Sequence, residues 1–253
     1  MSFVKKVVLV TGGSAGIGAT TAESFAKEGG ASVAIVGRNE EKLNEVAKRC
    51  EQHGASTLII KADISKEEEA KTIVQKTIDK FGKLDVLVNN AGIVRYATIL
   101  QPNLLQKYDE VMNTNLRSVV LITNLAAPYL IETKGNIINV SSIAATLVKV
   151  PGMMPYSVSK AGMDHFTRFA AMELAPSGVR VNSVNPGPVT TDILATAGLP
   201  AELMQGGNMA SMTALGRSSE SDEIGDIILY LASDKARGVT GSCYVIDNGF
   251  LLK

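Results

Sequence analysis

Tyr156-Ser157-Val158-Ser159-Lys160 is the stretch whose residue types and spacing bear most directly on chemistry. No Pro or Gly interrupts it, and Ala161, Met163, Phe166 and Phe169–Leu174 continue with good helix formers, so a helix is predicted to run to the Pro176–Gly178 stop. Tyr156 and Lys160 then stand at i and i+4, one above the other on one face. An ammonium fixed beside a phenol favours the phenolate and lowers the phenol's pKa. That is how a tyrosine becomes a general acid or base near neutral pH. Tyr and Lys four apart also occur as an ordinary surface pair, so the pair takes its meaning from what the rest of the chain sets around it.

The elements that would position it begin at the N-terminus. Val7-Val8-Leu9-Val10 is a short apolar run rich in β-branched residues, the pattern of a strand buried on both faces. Thr11-Gly12-Gly13-Ser14-Ala15-Gly16-Ile17-Gly18 follows, then a helical pattern (Ala22, Phe25, Ala26) ending at Gly29-Gly30. Strand, Gly-rich turn and helix start together suit a pyrophosphate: glycines let the backbone come close, and the helix N-terminus offers free N–H groups. Gly12, Gly16 and Gly18 form G-x-x-x-G-x-G rather than G-x-G-x-x-G. The second strand, Ser32–Val36, ends at Gly37-Arg38-Asn39. Here, about 20 residues past the last loop glycine, an acid would hold a free ribose 2′-OH and an arginine would accept a 2′-phosphate. With Arg38 present and no carboxylate before Glu40, the sequence points to NADP rather than NAD. The alternative is a solvated loop arginine.

The alternation continues. Helices are predicted over 40–53, 66–81, from Leu104 through Met112-Asn113-Thr114-Asn115 to about 133, and over 222–232. Strands are predicted over 57–61, 86–88, 136–140, 179–184 and 242–246. This implies an α/β fold with one doubly wound, Rossmann-like parallel sheet, seven strands and helices on both faces. No repeat or linker divides residues 1–253, so a single dinucleotide-binding catalytic domain is expected. Asp63, Asn89, Ser142 and Asn185 each fall at or just past the carboxyl end of a predicted strand. Each alone suits a turn; together they line the edge of such a sheet where ligands sit.

Composition excludes several classes. Lys plus Arg and Asp plus Glu both number 25, with no basic run, which argues against a nucleic-acid partner. Cys50 and Cys243, His53 and His165 are scattered without metal-ligand spacing, so no metal is expected and the thiols suit a reducing compartment. The first predicted strand leaves no room for a signal peptide, and no apolar run is long enough to span a bilayer. A cytoplasmic protein is expected.

With those residues in place, the chain resembles the short-chain dehydrogenase/reductase family over nearly its whole length. The matching motifs are Thr11-Gly12-x-x-x-Gly16-x-Gly18, Asp63, Asn89-Asn90-Ala91-Gly92, Asn115, Ser142, Tyr156-x-x-x-Lys160 and Asn185-Pro186-Gly187. The stretch from Ser142 to Tyr156 is one residue longer than the family's spacing, and Ser142 rather than Ser141 aligns with the family serine. The resemblance implies catalytic roles for Asn115, Ser142, Tyr156 and Lys160. Tyr156 would exchange a proton with the substrate oxygen, and Lys160 would lower its pKa and bond the nicotinamide ribose. Ser142 would donate to the oxygen where charge develops, and Asn115 would hold a water linking Lys160 to solvent. The dinucleotide would lie along Gly12, Ser14, Gly16, Ile17, Gly18, Arg38, Asp63, Ile64, Asn89, Ala91, Gly92, Pro186, Gly187, Val189 and Thr191, as well as Tyr156 and Lys160. Asp63 would meet the adenine and Asn89 the adenosine ribose.

Residues 191–215 are the least regular part, either a surface loop on the core or a substrate lid with Gly198, Gly206 and Gly207 as hinges. Val94, Met154, Leu194 and Met204, with Ser142 and Tyr156, are the candidate substrate contacts; Tyr96, Met153, Leu199, Leu203, Met209, Met212 and Leu215 belong to the same apolar set. A lipophilic ketone or secondary alcohol (steroid-, terpenoid- or retinoid-like) is the expected substrate. The helices over 104–133 and 156–175 carry apolar residues on more than one side, and in the family they pair across subunits, implying a homodimer or homotetramer. Three functions compete: an NADP(H)-dependent carbonyl reductase or its NAD-dependent alcohol dehydrogenase counterpart, a catalytically silent nucleotide-binding regulator, and a sugar-nucleotide epimerase. Retention of all four catalytic residues argues against the regulator. The short chain after the last strand argues against the epimerase.

Overall fold

Seven parallel strands, β1 (Val7–Thr11), β2 (Ser32–Gly37), β3 (Thr57–Lys61), β4 (Val86–Asn89), β5 (Asn136–Val140), β6 (Arg180–Pro186) and β7 (Cys243–Ile246), form one sheet in the order β3-β2-β1-β4-β5-β6-β7. This is the computed structural model of the protein, and it describes residues 2–195, 197–198 and 209–253. Strand side chains alternate between the two faces, so Val8 and Val10 enter one core and Val7 and Leu9 the other. The first core is closed by α1 (Gly16–Lys27), α2 (Glu40–Gln52) and α7 (Ser221–Ala232), whose Phe25, Leu43, Ile224 and Ile228 are buried there. The second is closed by α3 (Glu67–Phe81), α5 (Ser118–Thr133) and α6 (Met154–Leu174) through Ile73, Ile122, Leu130 and Ala170. Two fully covered faces explain why the strands read as apolar runs rather than alternating ones.

The chain winds outward from β1 to β3, then returns and continues from β4 on the other side of β1. At that reversal the loops leaving β1 and β4 diverge, and a crevice opens beyond the strands' carboxyl ends. Thr11 ties the two loops together: its Oγ1 accepts from the N–H groups of Asn90 and Ala91, at 3.0 and 3.1 Å. Asn90 Nδ2 donates to the carbonyls of Thr11 and Gly12, at 3.0 and 3.1 Å.

The expected continuous helix over 104–133 is instead α4 (Leu104–Met112), a π-turn (Asn113–Arg117) and α5. The Ser118 N–H reaches back to the Asn113 carbonyl, five residues away. No Pro or Gly marks the place, so propensity gives no sign of it. Such single-turn insertions concentrate at functional sites, and this one has Asn115 at its centre. No described helix is long and apolar enough to cross a membrane.

Candidate active site

α6 begins at Met154, with Pro155 in its first turn, so Tyr156 and Lys160 lie on its first two turns facing the carboxyl ends of β4, β5 and β6. Both are buried, at 8 and 3% exposure. The Lys160 ammonium donates to the Val140 carbonyl at 2.7 Å, and its own backbone carbonyl accepts from Ser141 Oγ at 3.3 Å. Nζ lies 5.6 Å from the centroid of the Tyr156 ring.

Burial weighs on both groups of the pair. Burial pushes the Tyr156 phenol above its ordinary value, and the opposing influence is a hydrogen bond with Ser142. Burial also pulls Lys160 down to about 8, against the attraction of Asp164. The spacing of four placed the two residues on one face as expected; strand β5, invisible to helical periodicity, takes the ammonium's short hydrogen bond.

Ser142 follows β5 in extended backbone and caps a short 3-10 turn by accepting from the Ala144 N–H at 3.1 Å. Asn115 is fully buried. Its Oδ1 accepts from the Ile93 N–H at 2.8 Å, and its Nδ2 donates to the Ile93 carbonyl and to Ser159 Oγ, at 2.9 and 3.1 Å. Gly92 lies between Asn115 and Lys160: a Cβ there would stand 3.5 Å from Asn115 Oδ1 and 3.7 Å from Lys160 Nζ. The glycine therefore leaves a gap bounded by an amide oxygen with one acceptor position to spare and an ammonium with donors to spare.

Two cavities meet here. The larger, about 1160 Å³, runs from Ser14, Arg38, Asn39 and Lys42 past Asp63 and Ile64 to Asn90–Ile93, along α4, and under Thr191–Ile193; Gly12, Gly16, Ile17 and Ala91 also line it. The smaller, about 100 Å³, is lined by Ser141, Ser142, Tyr156, Lys160, Pro186, Gly187 and Val189, and it shares Ile17, Asn90, Gly92, Thr191 and Ile193 with the first. The loop wall suits close approach of an anionic group. Gly12 sits at φ +66, and a Cβ there would be 2.7 Å from Ala91 Cα, so no larger residue fits. This cradle and the basic end at Arg38 fit a dinucleotide.

Several sequence candidates fall elsewhere. The Asn89 side chain is turned into the core, donating to Asn139 Oδ1 at 2.9 Å and Thr123 Oγ1 at 3.2 Å, because β4 pleats it away from the crevice. Its neighbour Asn90 lines the cavities instead. Gly18 lines neither cavity and serves to seat α1 against the loop. Val94 and Leu194 join Tyr156 and Ala197 in a small apolar cluster, and the methionine packed there is Met153, not Met154. Met204, Leu199, Leu203, Gly206 and Gly207 lie outside the described residues, as does much of the 191–215 segment. Among the described residues no group of His, Cys, Asp or Glu is arranged to hold a metal.

The comparisons with known proteins meet this geometry directly. The family model described as enoyl-(acyl carrier protein) reductase matches residues 12–251. The chain belongs to the short-chain dehydrogenase/reductase family. It is 36% identical over 248 residues to the 3-oxoacyl-[acyl-carrier-protein] reductase FabG of Thermotoga maritima, covering 98% of each chain. A family member from Caenorhabditis elegans solved with cofactor superposes with a TM-score of 0.91 at 37% identity, covering 99% of this chain and 96% of that one. A Burkholderia cenocepacia short-chain dehydrogenase in complex with NADP gives 0.90 at 32% identity, covering 99 and 100%. Members of this family are oxidoreductases that use a nicotinamide cofactor, and this chain is an oxidoreductase of that family.

Two features of this short-chain dehydrogenase/reductase site were missed from sequence. Asn90 belongs to the Asn89-Asn90-Ala91-Gly92 motif, and its spacing after β4 was the available signal. Asp164 is the other: it lies one turn beyond Lys160 on the buried face of α6, and that spacing from Lys160 was the available signal.

Proposed function

We propose that the protein reduces ketone carbonyls to secondary alcohols with NADPH, Tyr156 giving the proton. The observation that supports this best is the meeting of Ser142, Tyr156 and Lys160 in one small cavity that opens into a larger one ending at Arg38. Bound there, the nicotinamide supplies the hydride. Tyr156 protonates the substrate oxygen, and a phenol held above its ordinary value stays protonated for that task at neutral pH. Ser142 donates to the same oxygen as negative charge develops. Lys160 holds the nicotinamide ribose, and the gap at Gly92 lets Asn115 Oδ1 and Lys160 share a water for proton return. Asp63 and Ile64 receive the adenine, and Pro186, Gly187, Val189 and Thr191 the nicotinamide end. The cluster of Val94, Met153, Leu194 and Ala197 favours an apolar substrate body.

Relatives named as 3-oxoacyl reductases favour one particular ketone, the 3-oxoacyl thioester. The deciding assay follows NADPH absorbance with two substrate sets, 3-oxoacyl thioesters and cyclic lipophilic ketones. Turnover of the first set alone would assign the thioester; turnover of the second set would assign the lipophilic ketone; turnover of neither, with nucleotide still bound, would favour the regulator. A homo-oligomer is part of this proposal: Val120, Ile131, Val158, Phe169 and Met172 of α5 and α6 remain exposed, and sedimentation should show a dimer or tetramer.

Cofactor choice is tested at Arg38. The nearest following carboxylate, Glu40, pairs with Lys61 at 3.2 Å and so is engaged elsewhere. Arg38→Asp replaces a charge-assisted hydrogen bond to the 2′-phosphate with repulsion, so NADPH affinity should fall on the order of 10²-fold, with NADH changing less than about threefold. Equal effects on both would make Arg38 a solvated loop residue.

A further inference from the structure

Asp164 has no part in the reaction as written, yet it is 5% exposed and stands one turn beyond Lys160 on α6. Burying a carboxylate is costly unless hydrogen bonds meet it, and its partners are specific. Oδ2 accepts from Asn185 Nδ2 at 2.7 Å, and Oδ1 lies 3.3 Å from Ser183 Oγ. The second Asn185 amide proton goes to the Ser142 carbonyl at 3.2 Å, while Asn185 Oδ1 accepts from Ser183 Oγ at 2.9 Å. A continuous path thus leads from Asp164 through Asn185 to the backbone of Ser142. Resting on the reading above, we propose that Asp164 is a positioning residue for this site: its buried carboxylate is the anion set one helical turn from the Lys160 ammonium, and its bond to Asn185 fixes the strand end that carries Ser142.

The surroundings leave that charge to Asp164. On α6 the titratable or charged neighbours of Lys160 and Asp164 are Tyr156 and, farther along, Arg168, whose Nη2 reaches Cys243 Sγ at 3.5 Å. From β7 comes the Cys243 thiol, held neutral by burial. From β6 come Ser183 and Asn185, from β5 the Val140 carbonyl and Ser141, and from the π-turn Asn115, none of them charged. Against the burial that pulls Lys160 down stand the attraction of Asp164 and the hydrogen bond to the Val140 carbonyl, and of these only Asp164 carries a charge.

Asp164→Asn keeps the shape and removes the charge. Deleting the anion lowers the pKa of the ammonium further below its ordinary value, so the alkaline limb of carbonyl reduction should move to lower pH. At pH 8 the charged fraction of Lys160 then drops and the rate falls with it, while at pH 6 the rate stays close to wild type. The pH dependence of NADPH dissociation, read by fluorescence without turnover, should shift by the same amount. Ser183→Ala, which removes a hydroxyl and keeps the carboxylate, should leave both limbs in place, and thermal melts report whether each variant is folded. A loss in Asp164→Asn that is uniform across pH, or an unmoved limb in both measurements, overturns the proposal. Wild-type protein that binds NADPH but reduces no carbonyl would instead refute the reductase reading, and the binding profile would still judge Asp164.

Discussion

Tyr156→Phe should lower carbonyl turnover by about 10²- to 10⁴-fold while leaving nicotinamide-cofactor affinity within about twofold. The substitution removes one oxygen and keeps the ring that packs with Val94 and Ala197. Ser142 loses the phenol as a partner but keeps the Ala144 N–H, so the local backbone has no reason to move. What disappears is the proton donor. Initial rates at saturating NADPH and ketone, beside a fluorescence titration of cofactor, separate chemistry from binding. Survival of more than about a tenth of the rate would mean that the proton comes from another group.

Gly18→Ala is the second large effect, and it acts through the fold. A Cβ at residue 18 would run into the Gly12 carbonyl oxygen and Asn90 Nδ2. The first is backbone of the loop that walls the larger cavity; the second is the amide that binds the β1 and β4 loops together. Neither can yield without opening the crevice. Forcing a methyl into a packed site costs about 1–3 kcal/mol, which lowers the melting temperature by about 2–4 °C per kcal/mol at this chain length. Cofactor affinity should fall more than tenfold, roughly, since the α1 N-terminus is displaced from the phosphates. A variant with wild-type melting and wild-type affinity would show that the helix can slide to make room.

These two residues also show how far the sequence reached. Gly18 was legible as part of a Gly-rich loop because strand, turn and helix start follow one another along the chain. Its task, seating α1 on the loop rather than touching a ligand, depends on Asn90, a contact made across the sheet. Tyr156 and Lys160 were legible because four residues make one helical turn, a relation fixed by local geometry. Their protonation was not, since it depends on how deeply α6 is packed and on β5 supplying the Val140 carbonyl.

The amino-acid sequence by itself determined the strand–helix alternation, the two-sided burial of the sheet and the Gly-rich turn between β1 and α1, and it singled out the side chains proposed to react. All of these are written in short-range periodicity or contiguous motifs. The tertiary structure alone decided which polar residues at the strand ends face the crevice. Asn89 and Asn90 are adjacent and chemically identical, yet the pleat sends one into the core and the other to the site. It alone decided that the helix over 104–133 breaks into a π-turn at Asn115, because the buried partners of that side chain, Ile93 and Ser159, come from distant segments. And it alone brought Asp164, through Asn185, to bear on Ser142: a buried charge acts through the neighbours that folding gives it.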